Sequence, residues 1–178
     1  MINGADIVRD RALFAALYFG GLRNSEVRNL YVDDCDRERR RFTIRAHDGF
    51  HPKNYEVRKV KIPEVGARIV EKWLAQRATI PSKSPYLFIM THDDKFSIFW
   101  LRNLVYEWGE KAEVGHVFPH MLRHSRISFL VNEARPVVPV PKVQLWAGDA
   151  HIETTMRYVH HDPDSLDADI DRVSEIDL

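Results

Sequence analysis

The sequence predicts a mostly α-helical fold carrying one small antiparallel β-sheet. Apolar residues recur at helical spacing in several separate segments, whereas strict alternation of apolar and polar residues is confined to two short runs around a polar turn. The chain has 178 residues, 44% of them apolar and 29% charged, with 8 Gly and 9 Pro scattered along it, which suits one compact domain able to bury a core.

Leu13, Phe14, Leu17 and Tyr18 share a helical face and stop at Gly20-Gly21, which predicts a helix over residues 5–19. A short helix is expected from Asn24 to Leu30. Phe42 and Ile44 alternate with Thr43 and Arg45, and Val60 and Ile62 with Lys59 and Lys61, on either side of an Asp48-Gly49 turn region. This predicts two or three antiparallel strands. Val65, Ile69, Val70, Trp73 and Leu74 form a helical stripe after Pro63, a residue that helix starts tolerate. Ile98, Leu101, Leu104, Val105 and Trp108 form another, and Leu122, Phe129, Leu130 and Ala134 trace a third from Pro119 until Pro136, Pro139 and Pro141 break it. Two short helices follow, near Val140 to Ala147 and Ile152 to Val159. Residues 1–160 show no internal repeat and no boundary that would split them, so they are expected to form one domain followed by an acidic tail, 161–178.

The formal charge is zero, with 26 Lys and Arg against 26 Asp and Glu, but its distribution is uneven. The tail holds seven acids and one base, leaving 25 bases and 19 acids, or +6, in residues 1–160. Such a body is compatible with a phosphate-backbone partner without requiring one. Within the tail, Leu166, Ile170 and Val173 recur at i, i+4 and i+7 and give a narrow apolar stripe that needs a cover. Cys35 is the single cysteine, so no intrachain disulfide or cysteine cluster can form, and a reducing compartment is expected. The apolar runs are too short to span a bilayer and no leader follows Met1, so the expected location is the cytoplasm.

Four segments could carry chemistry. Gly20-Gly21-Leu22-Arg23-Asn24-Ser25-Glu26 puts Arg23 where a glycine turn meets a helix start, and an anion could be met there by guanidinium and backbone N–H groups together. A surface arginine beside an ordinary cap fits equally well. Lys53 extends from the polar turn between strands, where most lysines are simply solvated. His120 and Arg123, in His120-Met121-Leu122-Arg123-His124, fall at i and i+3 on one helical face. The same segment spaces His120 and His124 for zinc, though it lacks the intervening Glu of metalloprotease helices. Tyr158 ends the short helix after Gly148-Asp149-Ala150-His151, a setting that ordinary half-buried packing also explains.

Taken in order, these segments resemble the catalytic domain of the tyrosine recombinases, the phage integrase family, over residues 5–175. The family's T-G-L-R-x-S-E-x-x-L segment is matched by Gly21-Leu22-Arg23-Asn24-Ser25-Glu26-Val27-Arg28-Asn29-Leu30, and its hairpin lysine by Lys53 ahead of Arg58 to Pro63. Its H-x-L-R-H box is matched by His120, Leu122, Arg123 and His124, and its L-G-H-x-x-I-x-T-T-x-x-Y segment by Gly148, Ile152, Thr154, Thr155 and Tyr158. The resemblance implies catalytic roles for Arg23, Lys53, His120, Arg123 and Tyr158. One position departs, because Asp149 stands where the family usually has His or Trp. An ionised carboxylate cannot donate to phosphate and repels it. Asp149 is expected to cap a helix beginning near Ala150, with His151 as a substitute donor and a slow or inactive site as the remaining possibility.

The implied mechanism uses no metal or other cofactor. Tyr158 attacks the scissile phosphate of double-stranded DNA, with His120 as base, Arg23 and Arg123 holding the non-bridging oxygens, and Lys53 protonating the departing 5'-oxygen. The resemblance further implies that the tail docks on a neighbouring protomer, against the alternative of docking on its own domain. It also implies that an N-terminal DNA-clamping domain lies outside these residues. A type IB topoisomerase shares the same constellation, a binding module with a decayed site would fit Asp149, and a metallohydrolase built on His120, His124 and His160 would lose activity in chelator.

Overall fold

The computed structural model describes residues 4–47, 49–53, 56–90 and 95–159, with side chains from Ile7 onward. Helix α1 (Gly4–Tyr18) runs into the Gly20-Gly21 stop, where Gly21 adopts φ +55°. A Cβ at Gly21 would lie 2.4 Å from the Trp146 ring, so both its backbone angle and the close approach of that ring exclude larger residues. After this corner comes α2 (Asn24–Arg28), then a 3-10 turn (Val32–Asp34) and the sheet, β1 (Cys35–Asp36), β2 (Arg41–Ile44) and β3 (Arg58–Lys61). The strands are antiparallel in the order β1-β2-β3, with Phe42 opposite Cys35 on one side and Val60 on the other.

Four more long or medium elements complete the order: α3 (Glu64–Thr79), α4 (Ile98–Lys111), α5 (Pro119–Ser128) and α6 (Val140–Ala147), with the single turn and a half of α7 (Ile152–Met156) last. Pro63 and Phe118 are the residues that enter α3 and α5, and Ser97 Oγ accepts the Trp100 N–H at 3.0 Å to cap α4. Beyond α5 the chain winds one π-helical turn (Phe129–Glu133). Asn132 explains why that segment leaves the α-helical pattern, since its amide bonds the Ser128 carbonyl at 2.9 Å and also reaches the Tyr158 carbonyl at 2.7 Å.

Helix α1 packs along α3, α5 and α2, and the main core lies between these helices, α4 and the sheet. Leu13, Leu17, Val27, Phe42, Val60, Trp73, Leu101 and Val105 are all within this buried cluster. The Trp73 indole N–H is satisfied by the Leu87 carbonyl at 2.9 Å, so burying it leaves no lone donor. A second, smaller cluster of Ile127, Val131, Val143 and Ala147 joins α5 to α6, and Tyr158 and Val159 pack on it. Trp146 touches both clusters and donates to the Lys61 carbonyl at 3.0 Å, tying α6 to the sheet.

The expected mostly helical fold with a small sheet is the observed one, but the helix expected from Pro119 through Ala134 ends as an α-helix at Ser128 and continues as the π-helical turn to Glu133. The tail and its Leu166, Ile170 and Val173 stripe lie outside the described residues, as does Asp48. Among the described residues no helix is long and apolar enough to cross a membrane.

Candidate active site

Arg23 enters α2 in extended conformation, and the Glu26 carboxylate turns back to accept its backbone N–H at 2.8 Å, one half of a capping box. Glu26 is 2% exposed and also accepts Arg23 Nη1 at 2.9 Å and both Nη groups of Arg58 at 2.8 Å. Burial alone would raise the Glu26 pKa. The two hydrogen bonds and the charge of Arg58, with help from Arg23, outweigh it and hold the carboxyl below its ordinary range. Strand β3, through Arg58, therefore fixes the guanidinium that leads α2.

The amphipathic helix α5 carries Arg123 on its inner face, where it is 2% exposed. Its Nη1 donates to the Gly21 carbonyl and its Nη2 to the Ala147 carbonyl at 3.0 Å, so α1's glycine corner and the end of α6 both orient it. The α6 terminus is shaped by Gly148, at φ +68°, where a Cβ would meet Arg58 Nε at 2.8 Å. The next residue points its carboxylate between the two arginines: Asp149 Oδ1 lies 2.8 Å from Arg23 Nη2 and 2.9 Å from Arg123 Nη2. Asp149 Oδ2 accepts the buried Thr155 hydroxyl at 3.2 Å. The expected helix cap is thus corrected. Helix α7 begins at Ile152 behind His151, too far along for Asp149 to cap it, and the guanidiniums of buried Arg123 and partly buried Arg23 provide a stronger partner for the carboxylate.

Tyr158 follows α7 and is half-buried, with its hydroxyl 3.2 Å from His124 Nε2. The His124 ring in turn meets the His120 ring edge-on at 4.1 Å, as their i, i+4 spacing on α5 allows. The sequence favoured His120 as the proton acceptor; the imidazole in contact with Tyr158 is that of His124. Burial, then the charge of Arg123, lowers the His124 pKa, and burial with the neighbouring His124 and Arg123 lowers that of His120. Both imidazoles are therefore biased towards the neutral form that can accept a proton. Burial also raises the Tyr158 pKa, with Arg123 opposing and Asp149 reinforcing the rise.

Lys53 is exposed in the β2–β3 connection, on the wall of an open cleft of about 720 Å3 that Arg58, Gly148 and Asp149 also line. The root of that connection is anchored by buried Asp34, which binds Arg45 Nε and His47 Nε2 at 2.6 Å each while the His47 ring stacks on Tyr31 at 3.6 Å. His151 is exposed, and the group the arginine pair holds is the Asp149 carboxylate. The structure thus gathers Arg23, Arg123 and Asp149 in direct contact, joins His120, His124 and Tyr158 in a chain, and places Lys53 on the wall of the cleft that Asp149 also lines. Glu26 and Arg58 carry no role legible from the motifs alone, because only the fold pairs residues 32 positions apart. Among the described residues no group of three or more His, Cys, Asp or Glu converges as metal ligands do; His160 lies outside them.

The profile of the phage integrase family matches residues 1–165. The chain is 30% identical over 161 residues to the tyrosine recombinase XerA of Pyrococcus horikoshii, covering 89% of this chain and 52% of that one. It is 29% identical over 157 residues to the tyrosine recombinase XerC of Proteus mirabilis, covering 87% and 48%. The chain therefore spans about half the length of these curated relatives. In fold it is similar to the XerH site-specific recombinase bound to its difH substrate, with a TM-score of 0.78 at 23% identity over 99% of this chain and 50% of that one. The Tn1549 transposon integrase in complex with a circular intermediate DNA superposes with a TM-score of 0.72 at 22% identity, covering 91% and 57%.

Proposed function

The chain belongs to the phage integrase family, and from that premise we propose that it is the catalytic domain of a site-specific DNA recombinase that cleaves and rejoins strands through Tyr158. The observation that carries this reading is the arginine pair, Arg23 and Arg123, converging on a single anion beside a tyrosine whose hydroxyl meets a neutral-biased imidazole. In the proposed step the Tyr158 oxygen bonds to phosphorus and the bond from phosphorus to the 5'-oxygen breaks. The phenolic proton passes to His124, with His120 next along, and Lys53 gives a proton to the departing 5'-oxygen, which leaves as a free hydroxyl. The 3'-phosphotyrosyl ester keeps the energy of the diester, so attack by another 5'-hydroxyl reverses the chemistry without ATP. Planar guanidiniums suit the non-bridging oxygens, and their charge balances that of the pentacoordinate transition state.

Structural neighbours solved in complex with DNA support a double-stranded DNA partner. The tail stripe of Leu166, Ile170 and Val173 supports contact with a second protomer. The reading sets the protein to work on DNA in the cytoplasm of a prokaryote, or of a cell entered by a virus.

A second reading is favoured by Asp149: the same fold acting as a DNA-binding module of impaired activity, its phosphate site closed by a carboxylate. One experiment separates the two. Duplexes nicked beside candidate sites are incubated with the protein in EDTA and resolved in SDS. Recombinase chemistry yields a stable protein–DNA adduct that Tyr158→Phe abolishes; a binding module shifts the duplex in a native gel and yields no adduct.

A further inference from the structure

The Asp149 carboxylate lies between the two guanidiniums assigned above to the scissile phosphate, and we propose that it is an internal occupant of that site, which an incoming DNA phosphate must displace before cleavage. The inference rests on the phosphate-binding role given to Arg23 and Arg123.

Hydrogen-bond geometry makes the two anions mutually exclusive. Each guanidinium Nη2 carries two hydrogens. On Arg23 they point to the Gly148 carbonyl and to Asp149 Oδ1, each at 2.8 Å. On Arg123 they point to the Ala147 carbonyl at 3.0 Å and to the same Oδ1 at 2.9 Å. A phosphate oxygen entering between the arginines can take those Nη2 hydrogens only after the carboxylate has withdrawn. With the carboxylate in place it meets a like charge in a site where little solvent screens it, since the Asp149 and Arg123 side chains are 8% and 3% exposed.

The cradle itself does not depend on Asp149. Glu26 holds Arg23, while the Gly21 and Ala147 carbonyls hold Arg123, so both guanidiniums keep their places when the carboxylate leaves. Asp149 also has somewhere to go. It sits in the short α6–α7 connection, after the left-handed Gly148, and lines the open cleft. Its other oxygen holds the Thr155 hydroxyl, three residues before Tyr158, so withdrawal of the carboxylate also releases a tether on the segment bearing the nucleophile.

Inorganic phosphate is the probe, because its binding needs neither the target sequence nor Tyr158. Thermal denaturation of wild type, Asp149→Asn and Asp149→Ser is followed across a phosphate titration at constant ionic strength, with phenylglyoxal labelling of Arg23 read by mass spectrometry. The proposal predicts apparent phosphate affinity about tenfold or more higher in both variants than in wild type, and phosphate-dependent protection of Arg23. Equal affinity in all three proteins overturns it, as does a gain in affinity that leaves Arg23 unprotected. Failure of both variants to fold even in phosphate also overturns it, since the carboxylate would then be a structural member of the site and not a replaceable occupant. Absence of a Tyr158 adduct with DNA would count against the recombinase reading alone, because the phosphate titration is independent of it.

Discussion

The Tyr158 hydroxyl lies 3.2 Å from His124 Nε2, and the His120 ring meets the His124 ring edge-on at 4.1 Å. If His124 takes the phenolic proton, His124→Gln slows adduct formation more than His120→Gln does. A general base of this kind contributes roughly 10²- to 10⁴-fold. Single-turnover rates on a nicked duplex check the order, and a larger loss in His120→Gln would return the role to His120.

The same imidazoles predict the acid limb of the pH profile. Burial and the neighbouring Arg123 lower the pKa of His124, so it stays neutral to a lower pH than free histidine, whose pKa is about 6.5. The cleavage rate is expected to fall with acid at a midpoint below that value. Stability follows the same sign: a lowered histidine pKa means that the unfolded chain binds the proton more readily. The contribution is complete above the unfolded pKa and is lost as pH falls towards the folded one. Rates and melting temperatures measured from pH 5 to pH 8 test both statements.

Glu26 is the anion on which Arg58 and Arg23 both depend, and it is almost fully buried. Glu26→Ala leaves the largely buried Arg58 guanidinium without its carboxylate and Arg23 with Asp149 as its remaining one, and is expected to cost about 3–5 kcal/mol, read as a lowered denaturation midpoint. Because its folded pKa is depressed, the stability it contributes in wild type is present above the usual carboxylate range and lost as pH falls through the folded value.

Gly148→Ala should weaken the site without touching a reacting group. The residue holds φ +68°, and the new Cβ would lie 2.8 Å from Arg58 Nε, on a guanidinium that Glu26 already fixes from the other side. Left-handed strain costs about 1–2 kcal/mol, to which displacement of Arg58 adds. A melting curve and the adduct assay are expected to fall together; an unchanged protein would show that the α6 corner can relax.

The long helices were legible because their apolar stripes repeat with the helical period, as in Trp73 and Leu74 of α3 or Leu101 and Val105 of α4. Strand β1 has two residues, too few to show alternation, and emerges only through its pairing with Phe42 and Arg41. The π-helical turn was illegible for a different reason: Asn132 bonds both Ser128 and Tyr158, and the latter contact exists only after folding. The site divides in the same way. Motif order singled out Arg23, Arg123 and Tyr158, which the fold brings together, whereas the capping role expected of Asp149 came from its nearest neighbours in sequence. An arginine 126 positions away claims that carboxylate instead.

Cleavage by this site is expected to leave Tyr158 covalently linked to a 3'-phosphate. This linkage is tested most directly by trapping the protein on a nicked duplex in EDTA, digesting the adduct with nuclease and trypsin, and sequencing the modified peptide by mass spectrometry. The expected product is a nucleotide on Tyr158 through a 3'-phosphodiester, together with a released 5'-hydroxyl end that polynucleotide kinase can label. A nucleotide on any other residue, or cleaved DNA bearing a 5'-phosphate and no linked peptide, would contradict it.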